Sequence, residues 1–323
     1  MMLRAIAIAV LATIAGAGCI EGDLAPKSIV ARWRVLAIQA SDPEARPGDD
    51  VTFQPLVVTP DGEHATHGEN GITFEWVACV RAEEPPGLGG IQYDPESPTE
   101  ACGAATLRME LETDADGSAV LPGFVSEFLW PDPGEVNDAF REMFGGALPP
   151  DAVTRLLTSV GIQVTVELII RGDGAPIMSA YKRIMLVDRE ELGTNPPPPR
   201  FQIGDAWIGG RDVPEPWTCV PEDGVRPAIP RDQSVILSPD PDDEFWRDTY
   251  YVLDITGSIV AVEERPYYSF LSTAGAFDQE ITRAPVREEI WRAPAEPGVY
   301  PLWLVVRDGH GGMSACRSEV EVE

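Results

Sequence analysis

The residues able to do chemistry are few and poorly grouped. Only three histidines occur in 323 residues. His64 and His67 stand three apart in a Gly/Glu-rich loop with no third ligand beside them and no helix to present them, so no metal centre is expected there. His310, in Asp308-Gly309-His310-Gly311-Gly312, reads as a solvated turn residue. No Gly-x-Ser-x-Gly elbow, Ser-x-x-Lys, His-Glu-x-x-His or phosphate loop is present, so no catalytic residue and no cofactor is assigned. The 53 acidic residues leave a carboxylate pair of the glycosidase kind open. The densest acidic run, Ser238-Pro239-Asp240-Pro241-Asp242-Asp243-Glu244, reads as a solvated loop, with calcium binding as the alternative. Asp114-Ala115-Asp116-Gly117 lacks the glycine and closing glutamate of a calcium loop and reads as a hairpin turn. Trp246, Tyr250, Tyr251, Tyr267 and Tyr268 form the candidate partner surface for a protein or glycan. Neighbouring residues of a strand face opposite sides, so some of these rings should be exposed.

The elements that must position these groups are mostly strands. Val51, Phe53 and Val57, then Ile72, Phe74, Trp76 and Ala78, then Ile162, Val164, Val166, Leu168 and Ile170 alternate with polar or outward residues, the pattern of half-buried strands. The 31 prolines and 30 glycines, spread along the chain, add turns and argue for an all-β design. One interruption is helical. Val136, Phe140, Met143 and Phe144 follow Asp132 as N-cap, and Val153, Leu156, Leu157 and Val160 follow Pro149-Pro150 and end at Gly161. This insertion near 133–160 is read as covering an edge of a sandwich, with a partner surface as the sharper alternative. Gly193 to Pro199 reads as a stiff, Pro-rich linker. The expected organisation is a β-sandwich over 32–192, the linker over 193–199 and a second sandwich over 200–323.

An internal repeat supports two related domains. Ile169-Ile170-Arg171-Gly172 followed by Met178-Ser179-Ala180 matches Val305-Val306-Arg307-Asp308-Gly309 followed by Met313-Ser314-Ala315. Pro297-Gly298-Val299-Tyr300 with the second copy, and Arg46-Pro47-Gly48-Asp49-Asp50-Val51 with the later Trp76 strand, resemble Ig-like and PKD-type domains. That resemblance implies two Ig-like β-sandwich domains in tandem, a fold that hosts many functions.

The first 18 residues carry a basic start at Arg4, an apolar run from Ala5 to Ala15 and the small residues Gly16-Ala17-Gly18 before Cys19. This is the build of a secretory signal, too short for a membrane span, and with Cys19 it resembles a bacterial lipoprotein signal peptide. The resemblance implies lipidation of Cys19, anchorage in the cell envelope, and, since Ile20 rather than aspartate follows, the outer membrane as its place. Residues 19–31 then form a polar tether reaching about 40 Å at most. The formal net charge of −29 repels phosphates, so nucleic acid is not an expected partner and the membrane contact is through the lipid.

Removing Cys19 from the five cysteines leaves Cys79, Cys102, Cys219 and Cys316, an even number in an exported chain. Two of the three possible connectivities cross the linker, so Cys79–Cys102 and Cys219–Cys316 are expected. Parity adds detail: with Trp76 inward, Cys79 faces outward and clasps the following loop to the outer sheet face, whereas Cys316 shares the inward parity of Val320 and Val322. Together these readings predict a non-enzymatic cell-envelope lipoprotein serving as a structural or binding module for a protein or glycan. An envelope hydrolase working through acids alone, and a calcium-dependent adhesin, are the alternatives.

Overall fold

The computed structural model describes residues 27–80, 102, 107–146, 149–172, 175–209, 217–240, 248–253, 258–283 and 285–323. Cys19, Trp246 and the acids 242–244 lie outside the described residues. Strands take about 49% and helices 10% of the chain, so the protein is all-β.

In the first half, β1 (Arg34–Ala40), β3 (Val51–Val58) and β6 (Ala119–Leu121) form one antiparallel sheet in the order β1-β3-β6. Facing it, in the order β2-β8-β7-β4-β5, are β2 (Glu44–Ala45), β8 (Ala175–Leu186), β7 (Ile162–Gly172), β4 (Thr73–Val80) and β5 (Leu107–Leu111). The short β2 runs parallel to β8, the last strand. The plan recurs in the second half. One sheet orders β10 (Ala206–Gly209), β9 (Arg200–Ile203), β12 (Ser234–Pro239), β18 (Glu289–Arg292) and β16 (Ala276–Phe277). The other orders β11 (Ala228–Ile229), β20 (Met313–Val322), β19 (Gly298–Arg307), β15 (Tyr267–Ser272) and β17 (Thr282–Arg283), again with the short strand parallel to the last. Early strands sharing one sheet while the final hairpin lies in the opposite one is the Ig-like arrangement. The sequence repeat falls on the equivalent final hairpins, β7–β8 and β19–β20.

Alternation builds both cores. In β4 Thr73 and Glu75 are exposed while Phe74, Trp76 and Ala78 point inward. Trp76 is 1% exposed, packs on Phe53 with ring centroids 6.1 Å apart, and donates its indole N–H to the Gly117 carbonyl at 3.0 Å. The second core gathers Phe201, Phe270, Trp291 and Leu304. Both disulfides form as expected. Cys79–Cys102 spans 5.7 Å between Cα atoms and lies with Val77 and Ile169, off the Trp76 core. Cys219–Cys316 spans 5.3 Å and lies in the second core with Val320 and Val322. By loop entropy these are worth roughly 3 and 4–5 kcal/mol.

Three helices interrupt the first sandwich between β6 and β7: α1 (Gly123–Leu129), α2 (Pro133–Phe144) and α3 (Pro150–Ser159). Asp132 caps α2 by accepting the Gly134 N–H at 2.7 Å. Val153 and Leu157 of α3 enter the sandwich core. Leu156 and Val160 form a separate apolar seat with Val136 of α2. The insertion therefore packs on the first sandwich through one face of α3. The seat is occupied by Ile259 of β14 (Ile259–Glu263), which pairs with β13 (Thr249–Leu253) as a hairpin extending from the second half.

Gly161 ends α3 in the left-handed conformation, φ 74°, with its Cα so close to β8 that an added Cβ would lie 2.2 Å from the Leu186 carbonyl oxygen. Gly161→Ala should therefore cost about 2 kcal/mol or more in chemical denaturation, from the conformational penalty plus the clash. An unchanged midpoint would show that the α3–β7 turn is not built this way.

Candidate functional site

A cluster of buried ionisable side chains lies where the two sandwiches meet. Glu44, on β2 of the first sandwich, is 2% exposed. Its carboxylate accepts from the Gly193 N–H at 2.7 Å, from the Arg189 guanidinium, and meets His310 Nε2 of the second sandwich at 3.0 Å. Burial pushes its pKa up, but the His310 and Gly193 hydrogen bonds, with the neighbouring charge of His310, hold it below the ordinary carboxylate value. Lys182, on β8, donates to the Gly311 carbonyl, and burial pushes it down to about 8 against the pull of Asp308. Asp308 accepts from His310 N at 2.6 Å and Gly311 N at 2.9 Å and is raised by burial, its Oδ2 having no hydrogen-bond partner. Glu264, 1% exposed, accepts from Asp248 N at 3.0 Å, and burial, reinforced by the charge of Asp308, pushes it up to about 8.

Apolar packing continues the junction. Leu36, Ala37, Leu56 and Val58 of the first sandwich pack with Leu271, Trp303, Val305, Met313 and Ala315 of the second. The Pro-rich stretch is not a free spacer: Asn195 Nδ2 donates to the Ala40 and Ser41 carbonyls, its Oδ1 accepts from Met313 N, and Ser314 Oγ donates to the Pro197 carbonyl. The stretch read as a tether is also partly structured. Ile29 forms a parallel bridge to Ser272, and Val30 is 1% exposed in the same apolar cluster. Such a junction can hold charges and orient domains. Its acids are committed to backbone and side-chain donors.

Several expected sites change character here. His310 is not a solvated turn residue: its side chain is 11% exposed and its ring stacks on Tyr250, centroids 3.9 Å apart. Among the described residues of the candidate aromatic surface, the four tyrosines differ in their surroundings. Tyr268 is wholly buried in the second core, Tyr250 is spent on His310, and Tyr251 (37% exposed) lies 5.8 Å from the Arg189 guanidinium. Tyr267 is half-buried with the Arg283 guanidinium 6.0 Å from its ring centroid. His67 Nδ1 accepts the Phe74 N–H at 2.9 Å, and among the described residues no three His, Cys, Asp or Glu side chains are grouped to hold a metal ion. Asp240, first acid of the acidic run, is 6% exposed and pairs with Arg200. Asp116 takes the Ser118 N–H at 3.0 Å, closing the hairpin turn.

The sequence reading missed a groove of about 210 Å³ on the lateral edge of the first sandwich. Met109, Leu111, Val120, Pro122, Phe124 and Val125 line it, with Glu110, Glu112 and Asp114 at its rim. Phe124 and Phe128, one turn apart on α1, are 73% and 65% exposed, while Val125 and Leu129 of the same helix enter the core. The four large apolar residues of this seven-residue helix fall on one arc by their spacing, so nothing in the pattern sets Phe124 and Phe128 apart from the buried pair.

The chain matches no protein-family model and no curated protein sequence. Among solved structures it is similar to murine CEACAM1b (9% identity, 89% of this chain and 98% of that one, TM-score 0.20) and to the D0-D1 domain of intimin (12%, 89% and 98%, 0.19). It is also similar to trypsin-activated alpha-2-macroglobulin from Escherichia coli (11%, TM-score 0.27), with 90% of this chain spanning 16% of that one. The Ig-like assignment rests on the strand order itself.

The junction carries a pH signature. Glu264 holds its proton in the folded protein up to about pH 8, whereas the unfolded carboxyl loses it near 4.5. Between these values the folded state binds the extra proton, so stability should fall as pH rises, by up to about 1.4 kcal/mol per unit. Lys182 adds no slope below about 8, where it is charged in both states. Denaturation of the native protein at pH 5, 6, 7 and 8 should show this decline, and Glu264→Gln should make it shallower, leaving the part carried by other raised carboxyls such as Asp308. An equal slope in the variant would place the titrating group elsewhere.

Proposed function

We propose that this chain is a non-enzymatic module of the cell envelope, anchored by a lipid on Cys19 and acting as a rigid structural or binding unit for another protein. The observation that carries this is the junction. Two Ig-like sandwiches are fixed to each other by a buried polar cluster, an apolar interface and a packed connecting stretch, leaving one body with a set orientation. Such a body suits display or spacing. A protein partner is favoured over a glycan because the aromatic rings that would stack on sugars are buried at Tyr268 and covered at Tyr250. Cys19 and Lys27 are eight residues apart. Lys27 N is bonded to Glu280, and Ser28 to Val30 dock on β15, so a lipid on Cys19 would hold the second sandwich within about 30 Å of the membrane surface.

The test has two arms. Cys19→Ser should move the protein from the membrane fraction to the soluble envelope fraction. The purified soluble form should turn over no peptidoglycan, ester, glycoside or peptide substrate. Unchanged fractionation would refute the anchor, and a reproducible activity abolished by replacing one acidic pair would refute the non-enzymatic reading.

A further inference from the structure

The groove on the first sandwich lies between two strands that leave a common turn for different sheets. β5 is the terminal strand of one sheet and β6 of the other. They touch through the Thr113–Ala119 bridge beside the Asp114–Gly117 turn and then diverge. Among the described residues the outer backbone edge of β5 has no strand partner. Divergence opens the sandwich laterally, and Met109, Leu111, Val120 and Val125 form an apolar floor instead of a closed core. Phe124 and Phe128 stand beside it in solvent. Exposed aromatics next to an unpaired strand edge are a feature that soluble proteins ordinarily suppress unless something binds there.

Charge selects the occupant. Glu110, Glu112, Asp114 and Glu127 are all exposed around the groove and on α1. A second copy would bring an identical acidic rim against this one on a chain of net charge −29, and an anionic lipid surface would be repelled in the same way. A cationic segment is attracted. We infer that the groove receives an extended polypeptide with alternating apolar and basic side chains, which adds to β5 as a further strand. Its apolar side chains would enter the floor and meet Phe124 and Phe128, and its basic ones would pair with the rim. This deepens the binding-module reading and rests on it; the turnover assays decide that reading independently.

The probe is a blocked peptide of about eight residues alternating lysine and leucine. Its controls are the glutamate–leucine counterpart and a version N-methylated on alternate residues, which cannot form a strand ladder. Hydrogen exchange and amide NMR on the soluble Cys19→Ser protein read the site. Amides of 107–111 should exchange freely on the outer edge in the free protein and become protected with the lysine peptide alone. Phe124→Ser with Phe128→Ser should weaken binding about tenfold or more, from loss of both aromatic anchors, and their exposure keeps the melting temperature unchanged. Glu110→Lys with Glu112→Lys should exchange preference from the lysine to the glutamate peptide. Protection spread over the acidic surface, equal binding of the N-methylated peptide, or unaltered binding by the phenylalanine variant would overturn the inference. So would β5 amides already protected in the free protein, which would mean the chain fills its own groove. Loss of self-association or of vesicle binding in the phenylalanine variant, without loss of peptide binding, would replace the occupant by a second copy or a lipid surface.

Discussion

Glu44 must be kept charged while almost fully buried, and the rest of the molecule is arranged around that requirement. An unpaired carboxylate at such a position would be costly enough to protonate or to open the structure. Its donors come from three places: Arg189 at the end of the first sandwich, the Gly193 amide at the start of the connecting stretch, and His310 in the last turn of the second sandwich. Satisfying one side chain therefore fixes the relation of three segments. The turn that presents His310 is held in its own right by Asp308, and the Gly311 carbonyl of that turn takes the Lys182 ammonium from the first sandwich.

Polar pairing alone would give orientation with little net stability, because desolvation offsets most of the attraction. The apolar cluster beside it supplies the stability. Trp303 and Leu56 are each 1% exposed or less, and they pack in one cluster from opposite sandwiches. Fully burying side chains of this size contributes on the order of 1.5–3 kcal/mol each. Ile259 in the seat formed by Leu156 and Val160 adds a second, smaller apolar contact. The helical insertion thus gives the β13–β14 hairpin a place to dock.

What could be read in the sequence was what depends on local period. Trp76, Cys79 and Cys316 were placed on the correct faces because alternation within one strand fixes facing regardless of tertiary context. The final hairpins were legible as a repeat, and the caps of the helical insertion as residue types. The junction was not legible, because Glu44 and His310 lie 266 residues apart and neither sits in a periodic run. Parity said that one of Tyr267 and Tyr268 faces inward but not which; Tyr268 does, which removes that ring from the surface. Phe124 and Phe128 were invisible as a binding feature because apolar residues four apart on a helix ordinarily mark the buried face, and here Val125 and Leu129 take that role.

The central claim is that the two sandwiches form one cooperative body. Calorimetric unfolding of the disulfide-intact protein at neutral pH measures this most directly, since domains that are only tethered melt as separate transitions. The account predicts a single transition whose calorimetric and van't Hoff enthalpies agree, which Glu44→Ala would split in two by leaving His310, Arg189 and the Gly193 amide without their shared acceptor. Two resolved transitions in the native protein would contradict it.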